Sequence, residues 1–314
     1  GRSAPRHGDD FLDCQRIARD HYLHAPGIAF WALGSQGLRA STGQDDQSYP
    51  AAMAVHYQVD GDVAVITLSR PERFNSVSAE LASGLVTALD RAGDEARAVV
   101  LTGSGKAFCA GADLSDLMSE YETGGPDLSR VLAERFNPMA TALYAAKVPT
   151  VSAINGVAAG AGMALALGCD LRIMSSETYF LSAFIGLGLI PDTGSTWLLV
   201  HHLGLARALE FTMTNRRMAA SEAETLGLVR AVSPDDVLAE AMTQAKALAQ
   251  GPTVAFAANR KILYGTTSSG FLDALDEERI VQGELGVTPD HLEGMRAFLE
   301  KRPAKFTSIE SDNS

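Results

Sequence analysis

The most informative segment of the chain reads Asn155-Gly-Val-Ala-Ala-Gly-Ala-Gly162. It follows a short β-branched run that ends near Ile154 and leads into an apolar helical stretch at residues 163–167. Small residues at a strand-to-helix turn leave backbone N–H groups free to point at a ligand. The segment therefore indicates either a site that holds a developing oxyanion or a helix packed closely on a sheet.

A second glycine-rich segment lies earlier in the chain, again between a predicted strand and a predicted helix. It reads Gly103-Ser-Gly-Lys-Ala-Phe-Cys-Ala-Gly-Ala-Asp-Leu114. Neither segment contains the GKS or GKT of a phosphate-binding P-loop, and the spacing in the later one is not GxGxxG. Nucleotide phosphate binding is therefore disfavoured, and two turns that present amide groups remain.

The hydrophobic pattern around these turns predicts an α/β fold. From Val55 onward, short β-branched runs alternate with longer amphipathic stretches, of which residues 78–91 are the first. Strands are predicted at residues 63–68, 98–102, 150–154, 171–174 and 178–181. The strand signal ends near Thr193, and helices are then predicted at 234–249, from Pro252 onward, at 271–283 and at 291–300. We expect an all-helical C-terminal third behind an α/β core.

The composition predicts a soluble, cytoplasmic protein with a substantial core. Of the 314 residues, 46% are hydrophobic and 20% are charged. No apolar run approaches the roughly 20 residues that a membrane-spanning helix needs. The formal net charge of −12 disfavours binding to nucleic acids and to membrane surfaces, because both require a cationic face.

The cysteines predict neither a disulfide nor a metal site. Cys14, Cys109 and Cys169 are odd in number and scattered, with no CxxC pair and no His/Cys cluster spaced like a metal site. Cys109 is expected to be a small packing residue.

Residues 1–52 differ in character from the rest of the chain. They are rich in Gly, Ser, Asp, Gln and His, contain no Met, and show weak periodicity, whereas Met53 begins a segment of different texture. We expect a leader that is non-native or disordered. A short appended helix over residues 10–21 is the alternative.

Together the two glycine-rich segments resemble the paired signatures of the crotonase (enoyl-CoA hydratase/isomerase) superfamily. Other landmarks of that family follow in order: Ser69-Arg-Pro-Glu-Arg-Phe-Asn75, Cys169-Asp170, Gly186-Leu-Gly-Leu-Ile-Pro-Asp-Thr-Gly194 and Phe298-Leu-Glu-Lys-Arg-Pro-Ala-Lys-Phe306. The resemblance implies a spiral of ββα repeats at 53–250 and a helical C-terminal trimerisation region at 251–314. It also implies acyl-CoA thioesters as substrates and a homotrimer or dimer of trimers. Coenzyme A then belongs to the substrate, and no separate cofactor is expected.

The resemblance implies a site for the thioester carbonyl oxygen made from the backbone N–H groups of Ala110 and Ala161. Hydratases of the family add water with two glutamates, and the matching positions here are Ala164 and Phe184. Neither side chain can transfer a proton, so an ordinary hydratase mechanism is disfavoured. The residues expected to contact coenzyme A are Arg73, Ala112, Leu114, Lys261 and Lys305.

Asp192 is the predicted catalytic base. It lies in the turn Ile190-Pro-Asp-Thr-Gly194, before a helix expected to begin near Ser195, and a single carboxylate is sufficient for a 1,3-proton shift. This turn, with its surroundings, resembles the phenylacetate-pathway isomerases that convert ring-epoxide phenylacetyl-CoA to an oxepin-CoA, and the related Δ3,Δ2-enoyl-CoA isomerases. A cap for the following helix is the other interpretation of Asp192.

The predicted function is an acyl-CoA isomerase that shifts a double bond or rearranges a ring epoxide. Two alternatives stay open: another reaction of the superfamily such as hydration, and a catalytically silent member that binds acyl-CoA. Asp113 and Asp170 are expected to be structural, and the adjacent His201 and His202 are expected at a helix end or a subunit contact.

Overall fold

A computed structural model describes residues 53–308 of the chain. The predicted leader at 1–52 and its alternative helix lie outside the described residues. Within the described range, no helix combines the length and the apolar character that crossing a membrane requires.

The strands of the described range form two sheets. In chain order they are β1 (Val55–Asp60), β2 (Val63–Leu68), β3 (Ala98–Gly103), β4 (Ala107–Cys109), β5 (Thr150–Ile154), β6 (Val157–Ala159), β7 (Leu171–Ser175), β8 (Tyr179–Leu181), β9 (Arg217–Ala219) and β10 (Ala231–Ser233). The six-stranded sheet has the order β1-β2-β3-β5-β7-β10, and the four-stranded sheet has the order β4-β6-β8-β9.

The helices connect and cover these sheets. In chain order they are α1 (Ala79–Glu95), α2 (Met118–Glu122), α3 (Leu128–Val131), α4 (Asn137–Tyr144), α5 (Ala161–Leu167), α6 (Ser195–Leu203), α7 (Leu205–Thr214), α8 (Ala220–Thr225), α9 (Val237–Ala249), α10 (Thr253–Gly265), α11 (Phe271–Leu285) and α12 (Pro289–Glu300). A π-helical turn, Leu132–Phe136, joins α3 to α4, and short 3-10 turns lie at Pro71–Arg73, Leu114–Leu117 and Ile185–Leu187.

From β3 to β8, successive strands belong alternately to the larger and to the smaller sheet. β3, β5 and β7 pair in parallel in the larger sheet, while β4, β6 and β8 pair in parallel in the smaller one. From β3 to β8, each pair of successive strands therefore adds one strand to each sheet, and the chain winds forward as a spiral. The predicted spiral of ββα repeats is confirmed.

Helices bury the larger sheet on both faces. Ser78 caps α1 by accepting a hydrogen bond from the N–H of Leu81, and the apolar face of α1 packs into the main core. Asp236 caps α9 in the same way, and the alanines of α9 pack against β3, β5 and β7. Coverage on both faces explains why β3 and β5 are uniformly apolar or small and fully buried.

The strand prediction misses the part of the chain after Thr193. β9 pairs with β8 in the smaller sheet, and β10 extends the larger sheet beside β7, so residues 194–250 are not all-helical. Each of these strands has three residues, which is too short to show an alternating pattern. From Pro252 to Glu300 the chain is helical, as predicted.

An ion pair between the buried Arg260 and the partly buried Asp170 attaches α10 to the core. Arg260 on α10 donates to both carboxylate oxygens of Asp170, at 2.6 and 2.5 Å, and to the carbonyl oxygens of Ala146 and Val148. Asp170 also accepts hydrogen bonds from the N–H and hydroxyl of Thr150. The structural role predicted for Asp170 is therefore confirmed.

Candidate functional site

The two glycine-rich segments lie in contact. Gly111 and Gly160 both have positive φ, +93° and +53°, which favours glycine at these turns. A Cβ on Gly111 would lie 2.9 Å from the carbonyl oxygen of Ala159 and 3.6 Å from the nitrogen of Ala161. The backbone after β4 therefore runs directly beside the start of α5.

Two backbone N–H groups at this contact have no acceptor among residues 53–308. One belongs to Ala161, the first residue of α5, whose N-cap Gly160 has no side chain to supply a bond. The other belongs to Ala112, although the groups around it are engaged: Val77 donates to the carbonyl of Gly111 and Asp113 donates to that of Val77. Two adjacent unpaired donors can stabilise an oxygen that acquires negative charge.

The predicted donor Ala110 is wrong. Its N–H donates to the carbonyl oxygen of Phe74 at 3.0 Å and is not available to a ligand. Ala112, which the sequence placed among the coenzyme A contacts, has the available N–H instead. This bond connects the end of β4 to the loop that contains Phe74. No local sequence pattern indicates it.

Asn75 anchors that same loop, and sequence reasoning missed it. Its buried side-chain amide donates to the carbonyl oxygens of Ser104, Ala107 and Phe108, and its oxygen accepts from the N–H of Arg70. Asn75 adopts a left-handed conformation, φ +56°, which asparagine tolerates better than most residues. Its position after Arg-Pro-Glu-Arg-Phe is the only signal in the sequence that points to it.

Ala164 and Phe184, which occupy the positions of the two hydratase glutamates, both lie beside the free N–H groups. Ala164 is on α5, three residues after Ala161 and on the same face of the helix. Phe184 is buried, and its ring lies 3.7 Å from where a Cβ on Gly160 would be. An apolar surface therefore faces this part of the site.

Asp192 lies on the segment that leads into α6, and its environment favours the neutral acid. Burial raises the pKa of the Asp192 carboxyl above its usual range, and the hydrogen bond from the Thr193 hydroxyl at 2.7 Å opposes this only in part. The side chain does not cap α6, whose N-cap is Gly194 without a side-chain bond. A partly buried carboxyl with a raised pKa is typical of a proton-transfer group.

A cavity of about 230 Å³ adjoins both Ala164 and the Asp192 turn. Its walls come from α4, α5, α6 and α10 and are mostly apolar. The residues that line it are Ala140, Thr141, Leu143, Tyr144, Ala164, Leu165, Gly168, Thr193, Gly194, Trp197, Leu198 and Tyr264. The cavity therefore extends from α5, whose first residue Ala161 has a free N–H group, to Thr193, which lies next to the candidate base Asp192.

Comparison with known proteins decides the family. A family model described as enoyl-CoA hydratase/isomerase matches residues 58–309. This chain belongs to the enoyl-CoA hydratase/isomerase family. Its crotonase fold follows from the same finding, and the family acts on acyl-CoA thioesters.

Relatives of this family member are named for different activities. A probable enoyl-CoA hydratase of Rhodobacter capsulatus is 43% identical over 81% of this chain and 97% of its own length. The 1,2-epoxyphenylacetyl-CoA isomerase of Escherichia coli is 38% identical over 79% of this chain and 96% of its own length. The crystal structure of an enoyl-CoA hydratase from Polaromonas superposes with a TM-score of 0.74 at 30% identity, covering 81% of this chain and 99% of the other.

The predicted coenzyme A contacts fall into two groups in this family member. Arg73 is exposed on the 3-10 turn Pro71–Arg73, next to the loop that holds Ala110, and Leu114 follows Ala112 closely and begins the turn Leu114–Leu117. Lys261 is exposed on α10 and Lys305 is exposed after α12. Arg73, Ala112 and Leu114 thus lie on two neighbouring segments that are joined by the bond from Ala110 to Phe74. The two lysines belong to the C-terminal region.

Asp113 stabilises the loop beside Ala112. It forms an ion pair with Arg70 at 2.8 Å and accepts two hydrogen bonds from Ser115. Burial alone would raise the pKa of the Asp113 carboxyl, but the bonds from Ser115 and Arg70 outweigh burial and lower it. The expected structural role of Asp113 is supported.

The two histidines lie on the last turn of α6, as predicted for a helix end. His201 is exposed and stacks on Trp197, with ring centroids 3.8 Å apart. Burial, with a smaller contribution from Arg172, lowers the pKa of His202 to about 4, so its ring is neutral at pH 7. Among residues 53–308, no group of three or more His, Cys, Asp or Glu side chains is arranged to hold a metal ion.

Cys109 is a packing residue, as expected. It is fully buried at the end of β4, and burial raises the pKa of its thiol to about 12. The thiolate form is therefore negligible at pH 7.

Proposed function

We propose that this family member is an acyl-CoA isomerase that shifts a double bond, or rearranges a ring epoxide, through an enolate with Asp192 as its base. The observation that carries the proposal is the position of Asp192. Its neighbour Thr193, whose hydroxyl bonds to the Asp192 carboxylate, lines the same cavity as Ala164, while the two positions that match the hydratase glutamates are occupied by alanine and phenylalanine.

The N–H groups of Ala112 and Ala161 would hold the thioester carbonyl oxygen. Removal of a proton from the carbon next to the thioester carbonyl places negative charge on that oxygen, and preformed donors stabilise the charge without reorganisation. Loss of one such donor typically raises the barrier by about 3 to 4 kcal/mol. The ring of Phe184 beside Gly160 shields the same turn, which strengthens electrostatic interactions there.

Asp192 would remove the proton and return it to another carbon. The Thr193 hydroxyl occupies one carboxylate oxygen and fixes the orientation of the group. Because burial raises the pKa of Asp192, its carboxylate is a stronger base than that of an ordinary aspartate, and its protonated form lives long enough to deliver the proton to another carbon. One residue can therefore act as base and then as acid.

Hydration is the second candidate function, and one observation favours it. The relative from Rhodobacter capsulatus, at 43% identity, is described as a probable enoyl-CoA hydratase. Relatives described as isomerases include those of Escherichia coli and of Streptococcus mutans, the latter a trans-2-decenoyl-[acyl-carrier-protein] isomerase. Chemistry at Ala164 and Phe184 favours isomerisation, because neither side chain can position and deprotonate water.

The deciding experiment follows ultraviolet absorbance with a 3-enoyl-CoA and, separately, with a 2-enoyl-CoA. We expect the 3-enoyl-CoA to gain the absorbance of a conjugated thioester. Asp192→Asn should lose this activity, whereas Asp235→Asn, at an exposed position before α9, should retain it. Decay of the 2-enoyl-CoA signal with no change in the 3-enoyl-CoA would establish hydration and remove the role of Asp192.

The proposal includes a homotrimer or dimer of trimers, a cytoplasmic location and a place in phenylacetate catabolism. The surface of the C-terminal region is the observation that supports an oligomer. Large apolar side chains stay mostly exposed there, at Phe271, Leu272, Val287, Phe298 and Leu299. Concentrated exposed apolar surface of this kind marks a protein interface.

A further inference from the structure

A short parallel bridge between two loops holds the backbone on both sides of the free N–H of Ala112. Val77 pairs with Ala112 in this bridge, outside the strands of the two sheets. The N–H of Val77 donates to the carbonyl oxygen of Gly111 at 2.7 Å, and the N–H of Asp113 donates to the carbonyl oxygen of Val77 at 3.1 Å. Both neighbours of Ala112 are therefore bonded to Val77.

This bridge determines the direction of the Ala112 N–H. The carbonyl of Gly111 and the N–H of Ala112 belong to one planar trans peptide group, in which they point in opposite directions. Because the carbonyl points at Val77, the N–H points away from Val77. The direction of one proposed oxyanion donor thus depends on how firmly the bridge is held.

The side chain of Arg70 contacts both segments of the bridge. Its Nη1 atom donates to the carbonyl oxygen of Ser76 at 2.7 Å and lies 2.8 Å from Oδ2 of Asp113. Ser76 directly precedes Val77, and Asp113 directly follows Ala112. One charged nitrogen therefore holds together the two residues that flank the bridge, through contacts stronger than those between neutral groups.

Arg70 is itself fixed, unlike an arginine on an open surface. Its N–H donates to Oδ1 of Asn75 at 2.8 Å, and its carbonyl oxygen accepts a hydrogen bond from the N–H of Asn75. The side chain of Arg70 is 19% exposed and that of Asp113 is 4% exposed. Removal from water strengthens the attraction between the two charges, so the contact restrains the bridge more than a surface ion pair could.

We propose that Arg70 is a positioning residue whose contacts with Ser76 and Asp113 hold the N–H of Ala112 in the direction that the thioester oxyanion requires. The inference rests on the proposed oxyanion site and adds the side chain that orients one of its two donors. Donors aimed in advance at the developing charge stabilise it without reorganisation. Without Arg70 the backbone bonds of the bridge remain, but the N–H samples a wider range of directions.

The test measures the polarisation of a bound thioester carbonyl. Butyryl-CoA with a ¹³C-labelled carbonyl has no double bond for the enzyme to move, and infrared difference spectra with the full chain report how strongly the N–H groups act on it. We expect the bound band at a lower frequency than that of free butyryl-CoA. Arg70→Met should lose most of this shift.

The same variant should separate kcat from binding. The kcat with 3-enoyl-CoA should fall about 10- to 100-fold, because misplacement of a catalytic group by about 1 Å has an effect of that size. The dissociation constant of butyryl-CoA should change little, because the donor acts mainly on charge that develops in the transition state. A general loss of folded protein would instead lower the active fraction and leave the band of the bound carbonyl in place.

Two further variants complete the experiment. Asp113→Asn removes the ion pair but keeps the size of the side chain, so it tests the same point if Arg70→Met fails to fold, and it should lose part of the shift. Arg91→Met is the matched control. Arg91 forms an ion pair with Glu95 at the same distance of 2.8 Å, but it is 54% exposed on α1. This control should keep both the shift and kcat.

The possible outcomes distinguish the role of Arg70 from the proposed reaction. A full shift in both Arg70→Met and Asp113→Asn would overturn the role of Arg70 and leave the oxyanion site intact. Weaker butyryl-CoA binding with an unchanged band would make Arg70 a coenzyme A contact instead. A bound band at the free frequency in the unaltered protein would reject the oxyanion site and the role of Arg70 together. A shift that the variants lose, without conversion of 3-enoyl-CoA, would uphold Arg70 and reject the isomerase reaction.

Discussion

A backbone donor can be tested at Ala161 without deleting a side chain. Proline is tolerated at the first position of a helix, because the N–H it lacks has no partner inside the helix. Ala161 occupies that position in α5, so Ala161→Pro removes the proposed oxyanion donor while α5 can persist. We expect kcat to fall by about 10² to 10³ with little change in the circular dichroism spectrum.

The control for this substitution is Ala161→Gly, which retains the N–H. It should keep activity within about tenfold of the unaltered enzyme, because the added backbone freedom in a helix costs roughly 1 kcal/mol. Equal losses in both variants would contradict a role for the N–H group itself.

Ionisation of the Asp192 carboxyl should lower the stability of the folded protein, and this effect should increase with pH. Its pKa is raised in the folded protein, so folding favours the protonated form, and that contribution is lost as pH rises through the folded pKa. Asn cannot ionise, so Asp192→Asn should unfold at a higher temperature than the unaltered protein at pH 7. Scanning calorimetry from pH 3 to pH 7 should show the difference grow with pH. The quantity to follow is the unfolding temperature of Asp192→Asn minus that of the unaltered protein. If this difference falls between pH 3 and pH 7, the prediction is wrong.

At the scale of elements, α10 depends on a buried ion pair. Arg260→Leu would remove the side-chain donor to the carbonyl oxygens of Ala146 and Val148 and leave Asp170 with only its bonds from Thr150. Breaking a buried pair by removing one partner costs about 3 to 5 kcal/mol. Urea titration should show a loss of that size in the free energy of unfolding.

Arg279→Leu provides the comparison for α10. Arg279 pairs with Asp276 on the exposed surface of α11, and exposed pairs contribute about 0 to 1 kcal/mol. A similar loss in both variants would mean that burial of the Arg260 pair has no special effect.

Helix packing also explains the two kinds of glycine near the site. Gly111 and Gly160 are needed for positive φ, whereas a Cβ on Gly162 would lie 2.1 Å from the carbonyl oxygen of Cys109. A Cβ on Gly156 would lie 2.2 Å from the carbonyl oxygen of Lys106. The segment Asn155–Gly162 therefore provides both the free amide and the close packing that the sequence offered as alternatives.

At the scale of the whole molecule, the exposed apolar residues of α11 and α12 predict association. Light scattering on the purified chain should give three times the 33.2 kDa of one chain, or a multiple of that trimer. Leu272→Glu and Phe298→Glu place charge on this surface and should shift the mass toward the monomer. Arg279→Leu, an exposed substitution on the same helix, should leave the mass unchanged. A monomer at micromolar concentration would contradict the interface.

Much of the architecture could be predicted from the chain alone. The strand at 63–68 and the strand at 150–154 agree with the structure at both ends, and Pro252 directly precedes the helix that it was expected to open. These elements are long enough to show a hydrophobic period or carry their own start signals. Family membership followed from motifs that are local in sequence, and the comparisons confirm it.

The site was only partly predictable, because its groups are defined by partners far along the chain. After β4 the free N–H is that of Ala112 and not that of Ala110, since the N–H of Ala110 donates to the carbonyl of Phe74. The strands β9 and β10 exist only because an edge of each sheet was available for pairing. The ring contacts of Tyr264 with Tyr144 and Trp197 bring together side chains from three separate helices.

Sequence by itself thus determined the family, the spiral core and the candidate base Asp192, because periodicity and short motifs are properties of neighbouring residues. Tertiary structure decided which N–H groups are free, which glycines serve packing, and which side chains line the cavity beside α5. Those features depend on hydrogen bonds and side-chain contacts between distant segments. Such pairings form only when the chain folds, and no period or spacing along the sequence encodes them.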